Sequence, residues 1–154
     1  MSARVALTVL LSIFFVQLSS AQDCYDFYKK FVPRHDNNAR FAYSLNSTSV
    51  SLPFKPGESR CVYGELIQGK DYRITICSDS LYNGVVSLVI RNDAGTILYD
   101  NSQDDFNVNI EFSCRRTNPV EYIITAPNRL DVDPETKGCI GLIIEDMVTP
   151  KIGF

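Results

Sequence analysis

The sequence predicts an all-β fold: a two-sheet antiparallel β-sandwich, jelly-roll-like, with a short N-terminal helix. Three observations predict it. From residue 41 onward, large apolar side chains alternate with small or polar ones at period two, the pattern of strands with one buried face. The runs are separated by Gly-, Pro-, Asn- and Asp-rich connections at the spacing of a sandwich or barrel. About eight half-apolar strands also need two facing sheets or a closed barrel, because a single open sheet would leave one apolar face wet.

The elements follow in order. "CYDFYKKFVPR" (24–34) is the candidate helix; Tyr25, Tyr28 and Phe31 fall near one face, and Pro33 ends it. A helix this short depends on tertiary packing. "FAYSLNSTSVSLPF" (41–54) alternates as one strand, and "KPGES" is turn chemistry. "RCVYGELI" (60–67) is the next strand. In "DYRITIC" (71–77), Tyr72, Ile74 and Ile76 share one face, and Asp71, Arg73, Thr75 and Cys77 the other. "VVSLVIR" (85–91) is more uniformly apolar, as a central strand is. "NDAG" (92–95) is a hairpin turn leading into "TILYD" (96–100). "FNVNIEFSC" (106–114), "VEYIITA" (120–126) and "CIGLIIEDM" (139–147) complete the set.

The first 21 residues have the three-part plan of a secretory signal peptide. A short basic start is followed by the apolar run "VALTVLLSIFFVQL", and Ser19 and Ala21 sit at the cleavage positions. The run falls short of the roughly 20 residues that favour a membrane span. The expected organisation is therefore a signal peptide over 1–21, a helical and turn segment over 22–40, a sandwich over 41–147 and a tail over 148–154. No membrane span is expected once the leader is cleaved after about Ala21. The expected location is secreted or periplasmic. The net charge is −3 with the signs interspersed, and no basic stripe supports nucleic-acid binding.

Five cysteines occur: Cys24, Cys61, Cys77, Cys114 and Cys139. Export implies bridges, and an odd count leaves one thiol over. Spacing does not select among the possible pairings. Strand parity suggests one: Cys77 and Cys139 both lie opposite the apolar sets of their strands and would bridge if those strands are neighbours. Cys24 and Cys61 would then tie the N-terminal segment to the domain, and Cys114 would be the buried free thiol.

Candidate chemistry is sparse. Asp131, Asp133 and Glu135 alternate in "DVDPE" and could offer oxygens to calcium, although a calcium loop has more ligands and a central glycine. There is no G-x-S-x-G elbow, and a Cys–His pair would have to use His35, the single histidine, in the turn-like "PRHDNN". There is no Trp. Tyr63, Tyr82 and Tyr99 flank loops and are the rings expected to be exposed; packing in the core or at its rim is favoured over a sugar-stacking platform. "NST" (46–48) is a glycosylation sequon, inert in a bacterial host. Arg115 and Arg116 open a turn and read as a solvated pair.

The order "GKDYRITIC … VVSLVIRNDAGTILYD … FNVNIEFSC … VEYIITAP … GCIGLIIE" is similar to the bacterial pre-peptidase C-terminal type of β-sandwich. There, a G-x-Y-x-I strand precedes an L-x-D-x-x-G-x-x-L hairpin and a later Y-x-I strand. The whole mature chain, with "DYRITIC" and "GCIGLIIEDMVTPKIGF", resembles small secreted Bacteroidetes proteins without assigned activity. The resemblance implies an exported jelly-roll-like sandwich and transfers no catalytic residue. The chain departs from the pre-peptidase type in having no hydrolase attached, and the Gly-rich C-terminal sorting domain of some Bacteroidetes exporters is missing. The functional expectation is a non-catalytic binding or structural accessory module, its partner a protein or glycan at the cell envelope. The alternatives are a carbohydrate- or calcium-binding module and, from another class, a small secreted hydrolase.

Overall fold

In the computed structural model, residues 24–32 and 43–149 are described. The leader over 1–21, His35, Phe41, Ala42 and the tail from Pro150 lie outside the described residues. Among the described residues nine strands form: β1 (Ser44–Leu45), β2 (Val50–Phe54), β3 (Ser59–Leu66), β4 (Lys70–Ser78), β5 (Ser87–Asn92), β6 (Ile97–Asp100), β7 (Asn109–Ser113), β8 (Asn118–Thr125) and β9 (Gly138–Val148).

They pair as nested antiparallel couples: β2 with β9, β3 with β8, β4 with β7, and β5 with β6. A ribbon of nested pairs that rolls up brings β4 against β9 and β5 against β8, and both contacts are made. The outcome is a jelly roll. One sheet runs β1-β9-β4-β7 with β2 also on β9, and the other runs β3-β8-β5-β6. The expected all-β sandwich is what forms.

Period two does the packing. Tyr72, Ile74 and Ile76 of β4 face inward with Ile140, Leu142 and Ile144 of β9, against Leu88, Ile90, Val120, Tyr122 and Ile124 of the opposite sheet. Each such side chain contributes roughly 1.5–3 kcal/mol of burial before entropy. The "NDAG" turn forms as expected. Gly95 takes a φ of 79°, which favours glycine, and the Asn92 side chain accepts from Thr96 N–H.

Four details differ from the sequence expectation. The N-terminal helix is only a 3-10 turn, Phe27–Lys30, too short to bury a residue of its own. The run 41–54 breaks into β1 and β2, because Asn46 folds back: its Oδ1 accepts from Thr48 N–H, and the Ser49 hydroxyl donates to Ile144 O and accepts from Ile144 N–H. The strand drawn over 106–114 shortens to Asn109–Ser113. Asp105 and Phe106 have positive φ and turn around the buried Asn101, which bonds Val86 O and Leu88 N–H.

The fourth difference is the disulfide. Cys24 bonds Cys139 across a separation of 115 residues. The expected Cys77–Cys139 and Cys24–Cys61 bridges do not form. Strands β4 and β9 are neighbours, but the register sets Cys77 opposite Gly141, with Cys139 two residues further along. The bridge instead clamps the 3-10 turn onto the outer face of β9. There Tyr28 N–H donates to Ser51 Oγ. A Cβ at Gly141 would stand 2.6 Å from Cys77 Sγ and 2.8 Å from Tyr28 Cβ, so only glycine admits this approach. β9 is consequently buried on both faces from Gly138 to Asp146.

Candidate functional site

The rolled ribbon places β6 and β7 each at one edge of its sheet, with β3 and the β1/β2 pair at the opposite edges; the loop 101–108 joins β6 to β7. Between them the sandwich opens into a cleft of about 700 Å³. Its floor is apolar: Leu66, Ile90, Leu98, Ile110 and Phe112, with Tyr99 and the Cys114 thiol beside them. Its polar lining is Asn107, Asn109, Ser113, Asn118, Arg115 and Arg116, with Glu111, whose carboxylate is taken by Arg73. A concave apolar floor with a few polar groups at the mouth is the usual form of a ligand seat.

Period two explains the cleft. Ile110 and Phe112 point inward from β7, and Phe112 stacks on Tyr72 at 5.8 Å. Among the described residues no further strand lies outside β7 or β6, and there these side chains are only half covered. Leu98 remains 46% exposed, an apolar side chain at the mouth with no neighbour to bury it.

The arginines divide by partner. Arg60, Arg73, Arg91 and Arg129 each meet a carboxylate. Arg73 sits between Glu111 and Glu145 at matched register on β7 and β9, and the Tyr43 ring covers it at 4.2 Å. Arg115 and Arg116 form no ion pair among the described residues, and both are exposed at the cleft mouth. Their exposure agrees with the solvated pair that the sequence predicts. The signal that distinguishes them is the pairing of the other arginines, which no spacing reveals.

The three candidate calcium ligands do not converge. Asp131 accepts from Arg129 Nε and Nη2, at 2.9 and 2.8 Å. Asp133 accepts from Glu135 N–H, and the Glu135 carboxylate takes Lys55 at 2.6 Å. Among the described residues no group of His, Cys, Asp and Glu is arranged to hold a metal ion. The hydrogen bond from Arg129 holds the Asp131 carboxyl at about 2, below the ordinary carboxylate value. Because the folded value lies below the unfolded one, this contact favours the fold at pH above the ordinary value. The contribution disappears as pH falls through about 2. A carboxyl NMR titration should find that midpoint, and Arg129→Ala should return it to the ordinary range; an ordinary midpoint in the wild-type protein would refute the pairing.

The cysteines outside the bridge occupy three environments. Cys61 is exposed on the outer face of β3, while Cys77 and Cys114 are buried. Burial under the N-terminal segment pushes the Cys77 thiol up to about 11. Cys114 Sγ donates to Arg116 O at 3.1 Å. Thiolate is the reactive form, so iodoacetamide near pH 8 should modify Cys61 first and leave Cys77 intact, read by peptide mass spectrometry. Early alkylation of Cys77 would contradict the covering of β9.

The aromatic expectation holds in part. Tyr63 is 71% exposed, but on the outer face of the other sheet, away from the cleft. Tyr99 is partly buried in the cleft wall. Tyr82 is a correction: it is buried, and its hydroxyl donates to Phe54 O. The sequon residue Asn46 donates to Asp146 Oδ2 at 2.7 Å, so its amide nitrogen is engaged within the fold.

No helix among the described residues is long and apolar enough to cross a membrane, and the Cys24–Cys139 bridge fits an oxidising compartment. Compared with known proteins, the chain matches no family model and no curated sequence.

Proposed function

We propose that this is an exported, non-catalytic binding module whose ligand sits in the cleft between β6 and β7. One observation carries the reading. A concave, largely apolar cleft of about 700 Å³ coincides with two arginines that have no carboxylate partner among the described residues. Cations left unpaired beside a half-covered apolar floor favour a ligand that is both anionic and apolar. Export to the cell envelope or medium is supported by the leader-like first 21 residues and by the disulfide. Action through binding is supported by the candidate acids, which are separately engaged by Arg129, Lys55 and backbone.

The test is a ligand screen, with short peptides and oligosaccharides, followed by amide chemical shifts. Ligands should shift residues of β6, β7 and the Asn107–Arg116 stretch, and Leu98→Arg should abolish the response by placing a long charged side chain in the mouth. Responses confined to the outer face around Tyr63, Glu121 and Arg91 would refute the cleft as the ligand seat, and turnover of a substrate would refute the non-catalytic reading.

A further inference from the structure

The cleft's chemistry narrows its occupant. We infer that it receives an extended, acid-bearing peptide segment of a partner protein, added as an extra strand along the free edge of β7; this rests on the cleft being the ligand seat.

The edge has the required groups. Ile76 N–H donates to Val108 O, and Cys114 N–H donates to Lys70 O. Even-numbered residues of this strand therefore bond β4, and by antiparallel alternation the odd-numbered ones point away from it. The N–H and C=O of Glu111 and Ser113, with Asn109 C=O, face outward along the edge; Asn109 N–H is taken by Asn107 Oδ1. An added strand bonds such groups and gains affinity from its main chain. Its alternate side chains would then fall over Ile110, Phe112 and Leu98, the half-covered floor. β7 has five residues, and at roughly 3.4 Å per residue the fitting segment is about five or six residues long.

Charge supplies the second half. Arg115 and Arg116 follow β7 directly, so they meet whichever end of the added strand lies beside Ser113. An acid there finds two guanidinium groups that form no ion pair among the described residues, suited to bidentate pairing, while the Glu111 carboxylate of the cleft lining is held by Arg73. A glycan fits less well. Sugar binding uses an exposed ring face, whereas Phe112 has its ring stacked on Tyr72 and the most exposed Tyr residues lie elsewhere.

The experiment uses the full chain and a defined probe: a capped fluorescent peptide of valines alternating with threonines, with two glutamates at each end. Saturable binding is expected, with loss of about tenfold or more when lysines replace the glutamates or in the Arg115→Glu, Arg116→Glu double variant. That variant should keep the wild-type melting temperature, since both side chains are exposed. N-methylation at alternate residues should abolish binding in one register and leave it in the other, because only one edge of the probe bonds β7. Equal effects of both methylation registers would overturn strand addition while leaving the cleft reading intact. So would failure of every peptide alongside binding of an acidic oligosaccharide that Leu98→Arg abolishes. If neither peptides nor oligosaccharides respond at the cleft, both the inference and the reading beneath it fall.

Discussion

Replacing Cys24 with serine is expected to lower the stability of the fold by about 4 kcal/mol, because the bridge to Cys139 closes a loop of most of the chain. In the chain-entropy account such a bridge restricts the unfolded ensemble, and a separation of 115 residues is near the upper end of that effect. A melting temperature lower by about 10 °C or more should follow. The loss has a local signature as well. The 3-10 turn lies on β9 chiefly through the bridge and the Tyr28–Ser51 hydrogen bond. Releasing it uncovers Gly141 and the neighbouring Cys77. Cys77 should then become alkylated in the folded variant, whereas Cys114, which lies in the cleft away from the bridge, should react no faster than in the wild-type protein. A Cys24→Ser variant with unchanged melting temperature and a protected Cys77 would show that the N-terminal segment is held by something other than this bridge.

Leu142→Ala is the second large effect, expected at about 2–5 kcal/mol by denaturant unfolding. Leu142 has no exposed surface. It lies on β9, opposite Val50 on one side and Ile76 on the other, so its side chain is enclosed by strands on both flanks and by the opposite sheet above. Such a site has little room to collapse around a cavity, which places the cost toward the upper end. Val148→Ala, on the same strand but 73% exposed, is the control and should change stability by less than about 0.5 kcal/mol. Comparable losses from both would contradict the placement of the core.

Much of the fold was legible because alternation carries it. The inward set Tyr72, Ile74 and Ile76 follows from parity alone, and the turn between β5 and β6 follows from Asn92 and Gly95. What parity could not give was the partner of a strand. Cys77 and Cys139 do lie on the outer face of adjacent strands, yet the register places Gly141 opposite Cys77. That offset of two residues is set by contacts along all of β9. The covering of β9 was also concealed, although the near-continuous apolar run Ile140–Ile144 is what a strand buried on both faces looks like. Loops were least legible. Alternate acids at 131, 133 and 135 suggested convergence, but the local turn and the proximity of Arg129 and Lys55 send each to a different partner. Tyr82 read as a loop ring because its neighbours are polar, and it is buried because the loop 79–85 folds over the open end of the core. The cleft was legible only as its parts: an edge strand, an apolar set and two arginines. Their coincidence depends on the rolled topology bringing the ends of both sheets together.

Amide hydrogen exchange along β7 tests the account most directly, since everything proposed for the cleft requires a free edge in the full-length chain. Ile110, Phe112 and Cys114 should exchange slowly through their bonds to β4, while Glu111 and Ser113 exchange rapidly. Slow exchange at all five positions would mean that the edge is already covered, and would contradict both the open cleft and the strand proposed to fill it.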